Sequence, residues 1–342
     1  MTIVDHVTRL LFLFTIAFVS TMAWTPLLTR FLYQHRLGKH IRDAGEAPIM
    51  AGLHAAKAGT PTMGGVLVWG TTLVLTLLVA FLAPQFSFLS RKETLLPLGV
   101  LIASAFVGLV DDLFNVWRMG SHGGGLRMRH RLLLYSLIAA VGAWWFYVKL
   151  EWDFLHIPFV GDVTVGAWYI PIFIFIIVAT SFSVNEIDGL DGLAGGTLLT
   201  AYGAFGAIAF VQGRYDLAAL ISVIIGALLA FLWFNIKPAR FFMGDTGSMS
   251  LGVTLGVIAM LTNAALLLPI IGILFVVESL SVIIQITSKR LFHRKVFRSA
   301  PIHHHLEAIG WPEEKIVMRF WVIAAVSAIA GLVLFLLDRG IT

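Results

Sequence analysis

The sequence has no cysteine and few charged residues. Because none of its 342 residues is a cysteine, disulfides, thiolate metal sites and cysteine nucleophiles are excluded. Only 13% of the residues are Asp, Glu, Lys or Arg and 58% are hydrophobic, which excludes an ordinary soluble globular protein. We find no internal repeat and no loop long enough to fold alone, and we therefore expect one transmembrane domain over residues 1–342.

The sequence contains long apolar runs. Runs of about 20 residues recur along the whole chain, as a polytopic membrane protein requires. Backbone groups in lipid must be hydrogen-bonded within their own segment, so the predicted fold class is an all-α helical bundle. The first run is too long for a signal peptide and is predicted to be a retained helix. Ten spans are predicted, of which the eighth and ninth are separated only by Thr262 and Asn263: 8–32, 63–83, 94–113, 132–150, 167–184, 193–211, 217–235, 247–263, 265–286 and 316–337.

The basic residues predict the orientation of these spans. Segments 33–62, 114–131, 185–192, 236–246 and 287–315 hold 16 of the 24 Lys and Arg residues, whereas the alternate segments hold 4. By the positive-inside rule the first set is cytoplasmic and both termini are outside. Nine spans would instead place the termini on opposite sides. All the unusual polar clusters lie in the cytoplasmic set.

The stretch from Val184 to Gly196 contains the first group of candidate site residues. Asp188 and Asp191 stand between two apolar runs, and since hydrocarbon cannot solvate a carboxylate, they must lie where the chain surfaces. They would share one face if a helix begins there. Glycines beside them allow close approach of a ligand or another helix. The alternative is an acidic helix N-terminus that the helix dipole stabilises.

Two further acidic positions lie on the same predicted side. Asp111 and Asp112 end the third span; adjacent carboxylates repel, which favours a role with a cation or proton over a simple solvated helix end. Asp245 precedes the eighth span and would otherwise serve as its cap. Phe241 and Phe242, expected to be exposed, suit either a membrane anchor or a stacking platform.

A run of histidines and one buried acid complete the candidates. His303, His304 and His305 suit phosphate oxygens better than a metal, because neighbouring residues on an extended chain point to alternate sides. Glu278 lies mid-span and must face the bundle interior, where it would either hold helices together or support a site.

These residue types together indicate phosphoryl transfer. Carboxylates without cysteine select a hard cation, Mg²⁺ or Mn²⁺, while Lys, Arg and His suit phosphate oxygens. The membrane setting implies that one reactant is a lipid. A competing class is an ion-coupled transporter, although its carboxylates are expected at mid-bilayer rather than at helix ends.

The motifs resemble those of the phospho-N-acetylmuramoyl-pentapeptide transferases, within the polyprenyl-phosphate N-acetylhexosamine-1-phosphate transferase superfamily. The aspartates would suit any superfamily member, whereas the three histidines followed by Gly-Trp-Pro are specific to this branch. The matching stretches are 57–65, Asp111–Asp112, Asn185–Ala194, Trp233–Asp245, the segment around Glu278, and Phe297–His305 with Gly310–Glu313.

The resemblance implies transfer of phospho-N-acetylmuramoyl-pentapeptide from its UDP carrier to undecaprenyl phosphate, giving lipid I and UMP. It implies that Asp245 binds Mg²⁺, with Mn²⁺ as the alternative. Asp111 would act as base or orienter with Asp112 supporting it. The implied substrate-binding residues, including a uridine pocket where Phe242 stacks on uracil, are Lys57, Asn185, Asp188, Gly189, Leu190, Asp191, Asn235, Phe242, His303, His304 and His305.

The resemblance also implies a multi-pass protein of the bacterial cytoplasmic membrane, a homodimer, and no nucleic-acid partner. Two positions depart from the family pattern: Asn115 stands where a Lys is usual, and Phe182 where an Asn is usual. Arg118, Arg127 or Arg131 would supply the missing charge. The departures keep a sister transferase, acting on another N-acetylhexosamine-1-phosphate, as the alternative function.

Overall fold

The structure is a computed structural model that describes residues 2–38, 57, 59–90, 93–119 and 124–340. Almost all of its regular structure is helical. The described residues also contain an antiparallel hairpin, β1 (Phe154–Ile157) with β2 (Gly161–Thr164), which the all-α prediction missed. The helices are α1 (Ile3–Gln34), α2 (Val66–Leu82), α3 (Leu95–Val116), α4 (Met128–Trp144), α5 (Tyr169–Ile187), α6 (Leu193–Val211), α7 (Tyr215–Asn235), α8 (Asp245–Leu261), α9 (Leu268–Ile271), α10 (Ile273–Phe292), α11 (Ile302–Ala308) and α12 (Glu313–Asp338).

The helices have the length and composition of a membrane bundle. Within the described ranges, seven helical spans are long and apolar enough to cross a membrane: α1, α3, α4 continued to Lys149, α5 extended back to Gly166, α6, α7 and α12. Two shorter apolar helices, α2 and α8, and the pair α9–α10 account for the other predicted spans. Each of the ten predicted spans thus contains a helix, while the number that cross a bilayer stays a prediction.

The predicted span 265–286 is not one straight helix. The chain bends by 82° between α9 and α10 at Gly272. Gly272 ends α9 because its backbone leaves the helical region (φ −106°, ψ 42°), although its N–H still bonds to Leu268 O at 2.8 Å. The apolar pattern continues through this bend, so the sequence alone did not reveal it.

Helix α8 is the centre of the bundle, and all of its residues are buried. It packs against α3 and α5, and small residues make this packing close. A Cβ atom added to Gly108 of α3 would lie 2.3 Å from Asp245 O, and one added to Gly252 would lie 2.8 Å from Ser181 Cα of α5. The close approach brings the end of α3 and the start of α8 together.

The connecting segments meet at two ends of the bundle. At one end, contacts join Lys57 and residues 59–65, the end of α3, the turn 188–192, the segment 236–244 and α11, although much of segment 33–62 lies outside the described residues. At the other end, Arg9 contacts Ser87 O and Asp216, and His156 contacts Asn263 and Asp338. The start of α1 and the end of α12 therefore lie at the end of the bundle opposite Asp111, Asp191 and Asp245.

Candidate active site

Asp112 caps the start of α8 from a neighbouring helix. Its Oδ2 accepts a hydrogen bond from the backbone N–H of Thr246 (3.0 Å), and its Oδ1 accepts one from Thr62 Oγ1 (3.1 Å). Gly244 precedes the helix with a φ of 74° and has no side chain to offer. The idea that Asp245 serves as the cap is therefore wrong. Asp112 supplies the capping carboxylate, where the helix dipole favours negative charge.

Asp111 and Asp245 face each other across Arg131. Asp111 Oδ2 lies 2.5 Å from Arg131 Nε, and Asp245 Oδ2 lies 3.1 Å from Arg131 Nη2. The two carboxyl groups are also within hydrogen-bonding reach of each other. Asn185 Nδ2 donates to Asp245 Oδ1 at 2.9 Å and to Ser248 Oγ at 3.2 Å. The predicted approach of the acidic positions on α3 and α8 is confirmed, and Arg131, one of the three arginines considered, contacts both acids.

The oxygen donors of this cluster fit a magnesium ion. Mg²⁺ binds through one or two carboxylates and completes its octahedron with waters and substrate phosphates. Asp111 and Asp245 supply two carboxylates, and the buried Oδ2 of Asp111 has no aligned hydrogen-bond donor. Among the described side chains no three His, Asp or Glu residues surround a common point. The described part of the chain therefore offers part of a coordination shell, and waters or a ligand would supply the rest.

The segment between α5 and α6 is a turn rather than the start of a helix. Asp188 follows α5, is half-buried, and places its N–H 3.3 Å from Asn185 O. Gly192 adopts a φ of 80°, a left-handed conformation that favours glycine, and α6 begins only after it. The expectation that Asp188 and Asp191 share a helical face is wrong, because this glycine turn ends one helix before the next begins.

Asp191 belongs to a second cluster of charges, centred on Glu313. Lys57 Nζ lies 2.8 Å from Asp191 Oδ1 and 2.5 Å from Glu313 Oε1. Glu313 Oε1 also accepts the N–H of Asp191 (2.9 Å), and Lys237 Nζ lies 3.2 Å from Glu313 Oε2. Burial lowers the pKa of Lys237, but hydrogen bonds to Glu314 and Glu313 outweigh it and raise that pKa above its ordinary value. Lys237 is thus held as a cation beside the turn.

Asn235 and the phenylalanines line the same turn. Asn235 Oδ1 accepts the N–H of Gly192 (3.0 Å), and its Nδ2 donates to Phe241 O (2.9 Å). Phe241 is fully buried, so its expected exposure is wrong: its ring packs among phenylalanines of α7 rather than at a membrane surface. Phe242 is half-buried and Leu190 is buried. Phe242 is therefore the more exposed of the two phenylalanines.

The three histidines lie on a short helix, α11, and not on an extended chain as assumed. Each imidazole has a different partner. His304 Nδ1 lies 2.8 Å from Glu307 Oε2, and His305 Nδ1 accepts the N–H of Arg298 at 3.1 Å. His303 points inward and is fully buried. A helix spreads adjacent side chains by about 100°, so the three rings do not converge on one ion.

His303 is packed between Glu278 and the turn. Its Nδ1 lies 3.0 Å from Glu278 Oε2, and both side chains are fully buried. On the other side, a Cβ added to Gly189 would lie 2.2 Å from His303 Nε2 and 3.2 Å from His304 Nε2. Glu278 does face the bundle interior, and its contact with His303 favours support of the site over helix packing alone.

Sequence reasoning missed two groups. Glu313 was noted only as the end of a Gly-Trp-Pro-Glu motif, although it contacts two lysines. Thr62, which donates to Asp112, was assigned no role. A signal for Glu313 existed, since an acidic residue at the first position of a helix is stabilised there by the dipole, but its partner Lys57 lies 256 residues away.

Comparisons with known proteins identify the family of the chain. The glycosyl transferase family 4 profile matches residues 94–263, and signature 1 of phospho-N-acetylmuramoyl-pentapeptide-transferase matches residues 57–67. A phospho-N-acetylmuramoyl-pentapeptide-transferase of Chloroflexus aurantiacus is 40% identical over 348 residues, covering 98% of this chain and 92% of the relative.

Relatives with the same description occur in other bacteria. One from a Geobacillus species is 40% identical over 321 residues (93% of this chain, 95% of the relative), and one from Rubrobacter xylanophilus is 38% identical over 328 residues (94% and 95%). The matches span nearly the full length of both partners, and they favour a transferase over an ion-coupled transporter. The chain belongs to the phospho-N-acetylmuramoyl-pentapeptide-transferase family.

Proposed function

We propose that the chain transfers phospho-N-acetylmuramoyl-pentapeptide from its UDP carrier to undecaprenyl phosphate, releasing UMP and forming lipid I. The observation that carries the proposal is the meeting of Asp111 and Asp245 beside Arg131, at the end of the bundle where the turn 188–192 and α11 also lie. Carboxylates, a guanidinium and imidazoles at one membrane end are the groups that phosphoryl transfer to a lipid needs.

Asp245 and Asp111 would hold Mg²⁺, or Mn²⁺ in its place, at this cluster. The ion would neutralise negative charge on the diphosphate. That charge grows on UMP as the bond between its phosphate and the transferred sugar phosphate breaks. Asn185 keeps Asp245 in position through its 2.9 Å hydrogen bond, and Asp112 fixes the start of α8. We assign Asp111 the task of orienting, or taking a proton from, the lipid phosphate that attacks.

The second cluster would hold the nucleotide. Lys57 stands between Asp191 and Glu313 and can reach a phosphate or ribose oxygen without losing its acidic partners. Phe242 would stack on uracil, since aromatic rings bind bases in this way. His303 and His304 would contact phosphate or sugar from the opposite side of the turn, next to Gly189.

The membrane arrangement follows from the same proposal. We infer ten spans in the bacterial cytoplasmic membrane, with the site facing the cytoplasm and both termini outside, because the basic segments gather at the site's end. We also extend to this chain the homodimer expected from its family.

Purified protein in detergent tests the function directly. Supplied with Mg²⁺, undecaprenyl phosphate and UDP-N-acetylmuramoyl-pentapeptide, it should release UMP and form a lipid-linked product without any ion gradient. UDP-N-acetylglucosamine is the matched comparison, and a faster reaction with that donor would assign the chain to the sister transferases. Absence of turnover with both donors would contradict the proposal.

A further inference from the structure

Arg131 lies where a cation shared by Asp111 and Asp245 would lie. Its Nε is 2.5 Å from Asp111 Oδ2, and its Nη2 is 3.1 Å from Asp245 Oδ2. The other oxygen of Asp245 accepts Asn185 Nδ2. A divalent ion bound by both carboxylates would therefore meet the guanidinium at the same oxygens.

The contact between Arg131 and Asp111 is close but not a complete hydrogen bond. Arg131 Nε and Asp111 Oδ2 are both buried, and neither has an aligned hydrogen-bond partner. Buried polar groups left in this condition are costly, so the pair gains if a better-aligned partner reaches either group. A metal ion would be the better partner for the Asp111 carboxylate. A phosphate oxygen would be the better partner for Arg131, since guanidinium binds phosphate in a forked geometry.

Local backbone holds the guanidinium over the acids. Arg131 is in the first turn of α4, and the chain reaches it through Gly125, whose φ is 84°. The N–H of Leu126 donates to Asp111 Oδ1 at 2.5 Å, and a Cβ added to Gly125 would lie 2.9 Å from that same oxygen. The segment that carries Arg131 is thereby fastened to Asp111 itself.

We propose that Arg131 competes with the divalent cation for Asp111 and Asp245, and moves onto the diphosphate when donor and metal bind together. This inference rests on the proposed function. In this proposal the Arg131 guanidinium contacts the substrate. The metal binds weakly until a diphosphate offers Arg131 another partner. Metal and donor would then bind cooperatively, each raising the affinity for the other by the same factor.

Mn²⁺ binding measured by electron paramagnetic resonance on purified protein tests the competition without any turnover. Removing a positive charge a few ångström from the ion should tighten binding, so we expect Arg131→Gln to bind Mn²⁺ about tenfold more tightly than the wild type. The matched control is Arg129→Gln, which removes the same charge from an exposed position on the same helical turn. It should bind Mn²⁺ within about twofold of the wild type, because exposed charges are screened.

The second readout is the coupling between Mn²⁺ and UDP. In the wild type, saturating UDP should tighten Mn²⁺ binding strongly, and in Arg131→Gln this gain should shrink while turnover falls. Mn²⁺ affinity that is unchanged or weaker in a folded Arg131→Gln protein overturns the competition. If instead the wild-type protein shows no transferase turnover although Arg131→Gln tightens Mn²⁺ binding, the proposed function fails and the competition stands.

Discussion

Replacing Glu313 with Gln should weaken binding of the nucleotide donor far more than it slows the chemical step. Glu313 Oε1 lies 2.5 Å from Lys57 Nζ and accepts the N–H of Asp191 at 2.9 Å, while Glu313 Oε2 lies 3.2 Å from Lys237 Nζ. Glutamine keeps an oxygen acceptor of the same shape but removes the charge that two lysines share. Lys57 would then keep one charged partner, Asp191, and the neutral oxygen of the glutamine would hold Lys57 and the turn beside it less firmly.

The size of the effect follows from burial. The side chains of Lys57, Asp191 and Glu313 are only 15%, 4% and 6% exposed, so solvent screens their charges little. Breaking a buried pair typically costs about 3–5 kcal/mol, but the retained acceptor and Asp191 reduce this to about 2 kcal/mol. If that free energy is lost from donor binding, KM for UDP-N-acetylmuramoyl-pentapeptide rises about 30-fold, with kcat changed little.

Steady-state kinetics in detergent, with KM and kcat determined separately, measure this effect. Glu314→Gln is the control, because Glu314 is 54% exposed and contacts Lys237 at 2.9 Å without reaching the turn. Its KM should stay within about twofold of the wild type. Equal KM values for the two variants, or a fall in kcat alone for Glu313→Gln, would refute the assignment of Glu313 to the donor site.

The remaining predictions concern the acidic centre and the histidine helix. Asp245→Asn should abolish turnover while the protein still inserts and keeps its melting temperature, and near-normal activity would remove Asp245 from the metal role. Asp111→Asn should lower kcat far more than it weakens UDP binding, measured by calorimetry, and equal losses would argue against a role at the acceptor phosphate. Gly189→Ala places a Cβ 2.2 Å from His303 Nε2, and overpacking of about 1–3 kcal/mol should displace that ring and reduce turnover at least tenfold. Gly203→Ala, where a Cβ meets nothing within 4 Å, should leave both turnover and melting temperature unchanged.

The sequence predicted the helices and the meeting of the acids for one physical reason. Lipid excludes carboxylates, so polar residues between apolar runs had to surface, and their spacing along the chain located Asp111, Asp191 and Asp245 at one end. What it could not predict was which acid pairs with which base. Apolar periodicity carries no information about partners such as Lys57 and Glu313, which lie 256 residues apart.

Local conformation was the second limit. The bend at Gly272 and the turn at Gly192 both depend on single glycines within apolar or acidic runs, and a glycine in such a run is compatible with a continuous helix. The position of Arg131 was equally hidden. It ends a basic segment of the sequence where anionic lipid explains most positive charges, and its contacts with two acids are visible in the structure alone.

The end of α5 and the turn after it join the two charge clusters. This connection predicts which kinetic constant each substitution changes. Asn185 holds Asp245, and six residues later Asp191 meets Lys57 and Glu313. A donor whose diphosphate lies at the first cluster and whose uridine lies at the second must span this short segment. Substitutions at the first cluster therefore act on the reacting phosphate and change kcat, whereas those at the second act on the nucleotide and change KM. Because the same segment positions both, a variant that disorders the turn itself, as Gly189→Ala would, should change both constants together.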